Sequence, residues 1–296
     1  MASPLQRLVR KQLRVIGWLR PFMSAERFQA LRYRLWYFEG LPREEPLTFT
    51  QRLFWHMARA RDPLLPLTTD KVTMRDYVAR LVGERHLPAL YAVLDAPEAL
   101  RDAALPARYV VKATAGSAMT AFVAADSPAE RARVIREARP WFRGSHGRRY
   151  DEWAYLGLRQ RLVVEEWLAD GTHDVPPDWK FFCFRGEVGI VQLDGERFAA
   201  TRWRNLYGPD GTQLDATLYR PRGPAVPVPA SFGEMRRLAE VLSRDFDFVR
   251  VDLYALPDRI VVGELTHYPA TGRQLFEPRE WEERLGALWG RRARGA

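Results

Sequence analysis

The sequence predicts an α+β protein preceded by N-terminal helices. Residues 1 to about 62 carry apolar side chains at three- and four-residue spacing, as an amphipathic helix requires. From about residue 70 the pattern changes to short β-rich runs interleaved with helices, separated by Gly-, Pro- and Asp-rich turns. At 296 residues and 47% apolar content, the chain can build one large lobe or two to three small ones.

The elements follow in order. RFQALRYRLWYF (27–38) and TFTQRLFWHMARA (48–60) read as packing helices on either side of the turn GLPREEP. MRDYVARLVG (74–83), SPAERARVIREARPWF (127–142) and GEMRRLAEVLSRDF (233–246) read as further helices. Strands are expected at 89–94, 108–114, 120–125, 161–168, 180–186, 187–194, 246–256 and 259–266. Segments 144–153 and 207–215 are turn-rich, and PRGPAVPVPASFG (221–233) carries four prolines that exclude regular helix.

A net charge of +9 favours anionic partners, but the basic residues are dispersed, and no zinc-finger spacing or RNA-binding aromatic signature accompanies them. Nucleic acid is therefore not expected as a partner. The single cysteine, Cys183, excludes an internal disulfide and fits a reducing compartment, with the cytoplasm as default. No run reaches the roughly 20 apolar residues that span a bilayer. Residues 1–20 alternate Arg7, Arg10, Lys11, Arg14 and Arg20 with apolar side chains, which suits either peripheral membrane contact or an ordinary solvated helix. Residues 291–296 form a basic tail.

Only four of the 46 basic residues are lysines: Lys11, Lys71, Lys112 and Lys180. Lysine is a compact ammonium and arginine a wide planar fork, so a lysine retained in an arginine-rich chain points to a narrow site built around phosphate oxygens. Lys112 ends a β-rich run before Gly116 and Ser117, whose small-residue turn lets backbone N–H groups approach phosphate, although an ordinary hairpin has the same look. Arg250 and Asp252 lie two apart on one strand and Glu264 and Thr266 two apart on the next. Carboxylates in such apolar strands require a cationic partner or a hard metal such as Mg²⁺. Glu165, Glu166, Trp167 and Leu168 end a hydrophobic run able to offer backbone groups to an adenine and a carboxylate to ribose, or simply lead into a turn. Lys180, Arg197, Arg202, Arg204 and Asn205 form a cluster suited to an anionic substrate, with Arg204 expected to be a solvated surface residue.

Taken in order, PLTFTQRLFW, DPLLPLTTDKVTMRDYV, LPARYVVKATAGS, VVEEWL, DWKFFCFRGEV, DGERF, RNLY, FVRVDLY, GELTHYP and FEPREW resemble the TupA-like, teichuronopeptide-biosynthesis family of the ATP-grasp superfamily, over about residues 38 to 290. The resemblance implies an ATP-grasp fold in which two α/β lobes clamp ATP. It divides the chain into an N-terminal helical region (1–62) and an ATP-grasp domain (63–290), with a nucleotide-gripping lobe at about 105–168 and a metal-binding lobe at about 169–290. It implies carboxylate–amine ligation through an acyl phosphate, with ATP and Mg²⁺ as cofactors and small carboxylates and amines, or an anionic glycan or lipid-linked precursor, as substrates. By position, Lys71 and Lys112 match the phosphate lysines, Glu165 to Leu168 the adenine and ribose hinge, and Lys180 a phosphate or substrate contact. Asp252 and Glu264 match metal ligands, Thr266 stands where many relatives carry a third, and Arg250 matches the arginine that stabilises the tetrahedral intermediate. The chain departs from the family at Ala115-Gly116-Ser117-Ala118, where His-Gly-Ser-Gly is usual, and at His267, Tyr268 and Ala270, where Phe and Gly are more usual. The alternatives are a kinase or glycosyltransferase-pathway partner using the same cleft, and a non-catalytic module that holds nucleotide or glycan.

Overall fold

The computed structural model describes residues 17, 19–116, 118–143, 147, 150–170, 172–173, 175–195 and 202–291. Ser117, Arg197, most of the basic N-terminal stretch and all but the first residue of the basic tail lie outside the described residues.

Helix α1 (Ala25–Tyr37) starts where the Ser24 hydroxyl accepts the Arg27 N–H. Helix α2 (Phe49–Arg59) opens with a capping box, Thr48 and Gln51 each satisfying the other's backbone N–H. Two short helices follow, α3 (Leu64–Thr69) and α4 (Thr73–Val82). The sequence reading missed α3, because a six-residue element with an internal proline shows too little periodicity. Asp70 lies between them, its carboxylate accepting the Val72 and Thr73 N–H groups and pairing with Arg161 at 3.4 Å.

Strands β1 (Leu90–Leu94), β2 (Tyr109–Ala113), β3 (Thr120–Val123) and β4 (Leu162–Glu165) form an antiparallel sheet in the order β1-β4-β2-β3. Helix α5 (Pro128–Ala138) covers one face, where Tyr109, Val111, Val123, Leu162 and Val164 meet Val134 and Ile135. Period-2 alternation then sends Val110, Lys112, Thr120 and Phe122 to the other face.

The second sheet, ordered β10-β9-β5-β6-β7, is also antiparallel. Its strands are β5 (Asp178–Phe184), β6 (Glu187–Gly195), β7 (Trp203–Tyr207), β9 (Val249–Ala255) and β10 (Ile260–Thr266); β8 (Thr217–Leu218) and β11 (Phe276–Glu277) pair separately. Trp179 and Phe181 pack against Phe232 of helix α6 (Phe232–Leu242). The opposite face divides in two. Phe182 and Phe184 join Phe49, Phe248 and Trp289 in an aromatic cluster roofed by α2 and the C-terminal helix α7 (Arg279–Gly290), while Asp178 and Lys180, on the same face of β5, stay open to a cleft. The N-terminal helices therefore share their core with the second sheet. Among the described residues, no helix is long and apolar enough to cross a membrane.

His267, just beyond β10, is 2% exposed, with its Nε2 2.8 Å from the Thr68 hydroxyl. Burial, reinforced by neighbouring His56, pushes its pKa down from 6.5 to about 3. Below pH 6.5 the unfolded chain takes up a proton that the folded chain refuses, so stability falls as the pH drops. Between pH 7 and pH 5 this one group should cost about 2 kcal/mol, measurable by denaturant unfolding at the two pH values. A His267→Phe variant should lose that share of the acid sensitivity.

Candidate active site

Two adjoining cavities, of about 420 and 300 Å³, lie between the sheets and share Lys112, Ala118, Thr120 and Tyr254. The first sheet contributes its Val110–Lys112 and Thr120–Phe122 face. The second contributes the face on which strand register places Lys180 opposite Asp252, Asp178 opposite Tyr254, and Asp252 opposite Glu264.

In the smaller cavity the charges are interlocked. Arg250 donates from Nε and Nη2 to the two Asp252 oxygens at 2.7 and 2.8 Å, and from Nη2 to the Thr266 hydroxyl at 3.1 Å. Lys180 pairs with Asp178 and lies 3.3 Å from Asp252. Lys71 lies 3.6 Å from Glu264, and Lys112 pairs with Glu165. Burial opposes the Arg250 charge, but Asp252 more than restores it and holds the guanidinium above its usual range. Burial likewise works against ionised Glu264, yet Lys71, Arg250, Lys180 and Lys112 outweigh it and lower its pKa. For Lys112 the desolvation is overcome chiefly by Glu165, which raises its pKa. Burial raises the Asp252 pKa against the pull of Arg250 and Lys180. Four cations thus stand beside four carboxylates, Glu165, Asp178, Asp252 and Glu264.

Lys71 also ties the second sheet, through Glu264, to the loop between β2 and β3 of the first. Its backbone N–H donates to the Thr114 carbonyl at 3.2 Å and its ammonium to the Gly116 carbonyl at 3.3 Å. Gly116 takes φ 126°, and Ala118 is held in the left-handed region at φ 60°. In the larger cavity, Trp167 lies 5.0 Å from Phe122 between ring centroids and under the Arg108 guanidinium at 4.0 Å. Val110, Leu168 and Pro176 add apolar walls. Glu166 accepts both contacts of Arg259, at 2.6 and 2.7 Å, and the Ala89 N–H at 2.9 Å. This anchors the segment after β4 through its side chain and leaves the flat apolar surfaces facing the cavity.

Of the expected residues, the cleft lining brings together Lys71, Lys112, Gly116, Glu166, Trp167, Leu168, Lys180, Arg202, Arg250, Asp252 and Glu264. Glu165 borders it through Lys112, and Thr266 through Arg250. Two expectations are corrected. Arg204 is not a solvated surface residue: at 5% exposure it pairs with Asp194 at 2.6 Å and donates to the Leu218 carbonyl and Gln274. Asn205 does not reach the cleft, because it is the neighbour of Arg204 on β7 and points to the opposite face. Fully buried there, it donates to the Pro224 carbonyl at 2.7 Å and accepts the Gly223 N–H at 3.0 Å, pinning the proline-rich segment.

Asp178 and Tyr254 were missed, although the alternation that flags Arg250 and Asp252 extends to Tyr254, and that of Lys180 back to Asp178. Gly263 belongs with them. The β9–β10 register shifts at this residue, and a Cβ there would lie 2.6 Å from the Tyr254 ring. Among the described residues, no group of three or more His, Cys, Asp or Glu side chains forms a metal cage. Two facing carboxylates, Asp252 and Glu264, nevertheless suit Mg²⁺, which keeps waters and completes its shell with phosphate oxygens. Asn205→Ala should lower stability by about 1–3 kcal/mol in a thermal melt, since it removes two part-buried hydrogen bonds worth about 0.5–1.5 kcal/mol each, and leave nucleotide affinity unchanged.

No curated protein sequence matches the chain. Solved structures with similar folds include D-cycloserine synthetase DcsG (17% identity, TM-score 0.44, covering 81% of this chain and 76% of that one). D-alanine–D-alanine ligase from Bacillus anthracis gives 14% identity and a TM-score of 0.44, covering 75% and 66%. An L-amino acid ligase from Bacillus licheniformis gives 15% and 0.42, covering 81% and 48%. The chain spans about half the length of the last and of N5-carboxyaminoimidazole ribonucleotide synthetase, 50% of which is covered. The family described as TupA-like ATPgrasp matches residues 51–289, and the chain belongs to that family.

Proposed function

We propose that this protein is an ATP- and Mg²⁺-dependent carboxylate–amine ligase that forms an amide or peptide bond through an acyl phosphate. The observation that carries the reading is the meeting of Lys71, Lys112, Lys180 and Arg250 with Asp252 and Glu264 in one desolvated cleft between two sheets. Membership of an ATP-grasp family supports it.

The adenine is assigned to the apolar walls at Trp167, Leu168, Phe122 and Val110, with Lys112 and the loop at Gly116 and Ser117 on the phosphates. Lys71, whose ammonium donates to the Gly116 carbonyl and lies beside Glu264, is likewise assigned to the phosphates. Asp252, Glu264 and the Thr266 hydroxyl are the oxygen donors that would hold Mg²⁺, which when bound neutralises phosphate charge. Substrate carboxylate oxygen attacks the γ-phosphorus, ADP leaves, and the amine then displaces phosphate from the acyl carbon. Arg250, fixed through Nε and Nη2 by Asp252 and Thr266, would meet the oxyanion without having to reorganise. Arg197 and Arg202 are assigned to an anionic substrate, and the reaction to cell-surface polysaccharide or teichuronopeptide-type biosynthesis.

Because four carboxylates already match the four cations, the cleft offers little net charge to a polyanion. Removing Mg²⁺ with a chelator should weaken ATP binding by about tenfold or more, read by equilibrium titration. In an ADP-release assay with pools of amino acids and uronic acids, turnover should need one carboxylate and one amine. Lys112→Met and Glu264→Gln should each lower it by about 10²–10³-fold. Turnover that ignores the amine pool would overturn ligation in favour of a kinase.

A further inference from the structure

Helix α1 buries one side and turns the other outward. Phe28, Gln29, Arg32 and Tyr33 are buried, with Gln29 and Arg32 donating to the Tyr150 carbonyl at 3.0 and 2.7 Å. Trp36 and Tyr37, near the end of the helix, border a cavity of about 540 Å³ together with Arg220 and Arg273. By helical periodicity the opposite arc collects Arg27, Leu31, Arg34, Leu35 and the capping Phe38. Of these, Arg27, Arg34 and Phe38 are exposed and the two leucines half-buried.

The charge on this face is unbalanced. The nearby acids are already engaged: Glu26 with Arg59 at 2.8 Å, Glu39 with the Tyr33 hydroxyl at 2.5 Å, and Asp151 with Arg20 at 2.6 Å. Among the described residues, Arg27 and Arg34 form no ion pair. The sequence ahead of the helix adds Arg7, Arg10, Lys11 and Arg14, and its first acid is Glu26.

Apolar side chains are also held out in solvent at both ends of the helix. Phe38 is 65% exposed and takes φ 61°, at a cap position that favours glycine. A bulky residue there bears the backbone strain and gains little burial within the chain in return. At the other end Phe22 is 86% exposed and Leu19 45%. A helix of 13 residues separates the two ends by about 20 Å.

Charge decides what can cover this face. A second copy would set Arg27 and Arg34 against their own images, and the chain's basic N-terminal stretch would likewise set like charge on like. A nucleic acid would meet the arginines but give Phe38 and the leucines nothing apolar to enter. An anionic bilayer surface satisfies both, with phosphate headgroups for the guanidinium groups and the acyl boundary for the phenylalanine and leucine side chains. We propose that the protein docks peripherally on an anionic membrane surface through the outer face of α1, with Phe22 and Phe38 inserted at its two ends. Arg27 and Arg34 lie among the headgroups, and the further basic residues before Glu26 strengthen the attraction. None of the described docking residues lines the nucleotide cleft, so docking stands or falls apart from the proposed ligation.

The test is co-sedimentation of the full chain with vesicles of phosphatidylcholine alone and of phosphatidylcholine with phosphatidylglycerol in equal parts, at low and high salt. The protein should partition onto the mixed vesicles and not onto the neutral ones, and salt should weaken the binding. A double variant, Arg27→Gln with Arg34→Gln, should bind about tenfold or more weakly. Phe38→Gly relieves the backbone as it removes the ring, so it should melt at or above the wild-type temperature yet bind about threefold or more weakly. Unchanged ATP affinity in both variants would separate lost docking from lost fold. Partition that is absent, equal on neutral vesicles, or unchanged in either variant would overturn the proposal. Equally tight binding of a DNA duplex, with the same loss in both variants, would overturn it too.

Discussion

Everything in the cleft depends on ion pairs that desolvation makes compulsory. On the open half of the second sheet, Lys180 meets Asp178 and Asp252, and Arg250 grips Asp252 from the adjacent turn of the strand's alternation. Buried charges are tolerated only when paired, so each residue there fixes its neighbour's rotamer, and removing one partner alone strands another. Such a lattice gives weak net stability but a well-defined arrangement of positive groups, which is what a reaction between two anions needs.

The aromatic half of the same face supplies what the charged half does not. Phe49, Phe182, Phe184, Phe248 and Trp289 bury large rings where β5 runs out of the cleft, and the N- and C-terminal helices close over them. One strand, by alternation alone, thus carries two ion-paired residues and then two core aromatics on a single face. The helices before residue 62 are therefore part of the support for the second sheet.

Much of this was legible from local pattern. Period-2 alternation in FVRVDLY and IVVGELT marked Arg250, Asp252 and Glu264, and the scarcity of lysine marked Lys71, Lys112 and Lys180. What escaped was set by contacts distant in sequence. Arg204 and Asn205 look alike as polar residues in RWRNLY, and only the register of β7 on β6 decides that one meets Asp194 while the other clasps the proline-rich segment. Tyr254 reads as an ordinary strand aromatic until the register shift at Gly263 opens a place for its ring. The helix α7 packs chiefly on α2, far earlier in the chain, and on the adjacent β11.

Arg220 lines both the 420 Å³ cavity and a neighbouring one of about 540 Å³ and, among the described residues, forms no ion pair with a carboxylate. Two negative ligands bound on either side would share its field, and each would dilute the attraction felt by the other. Equilibrium reciprocity makes that mutual penalty identical in both directions. That coupling favours neither order of loading; it lowers the share of protein that holds both anions until a neutralising cation is bound.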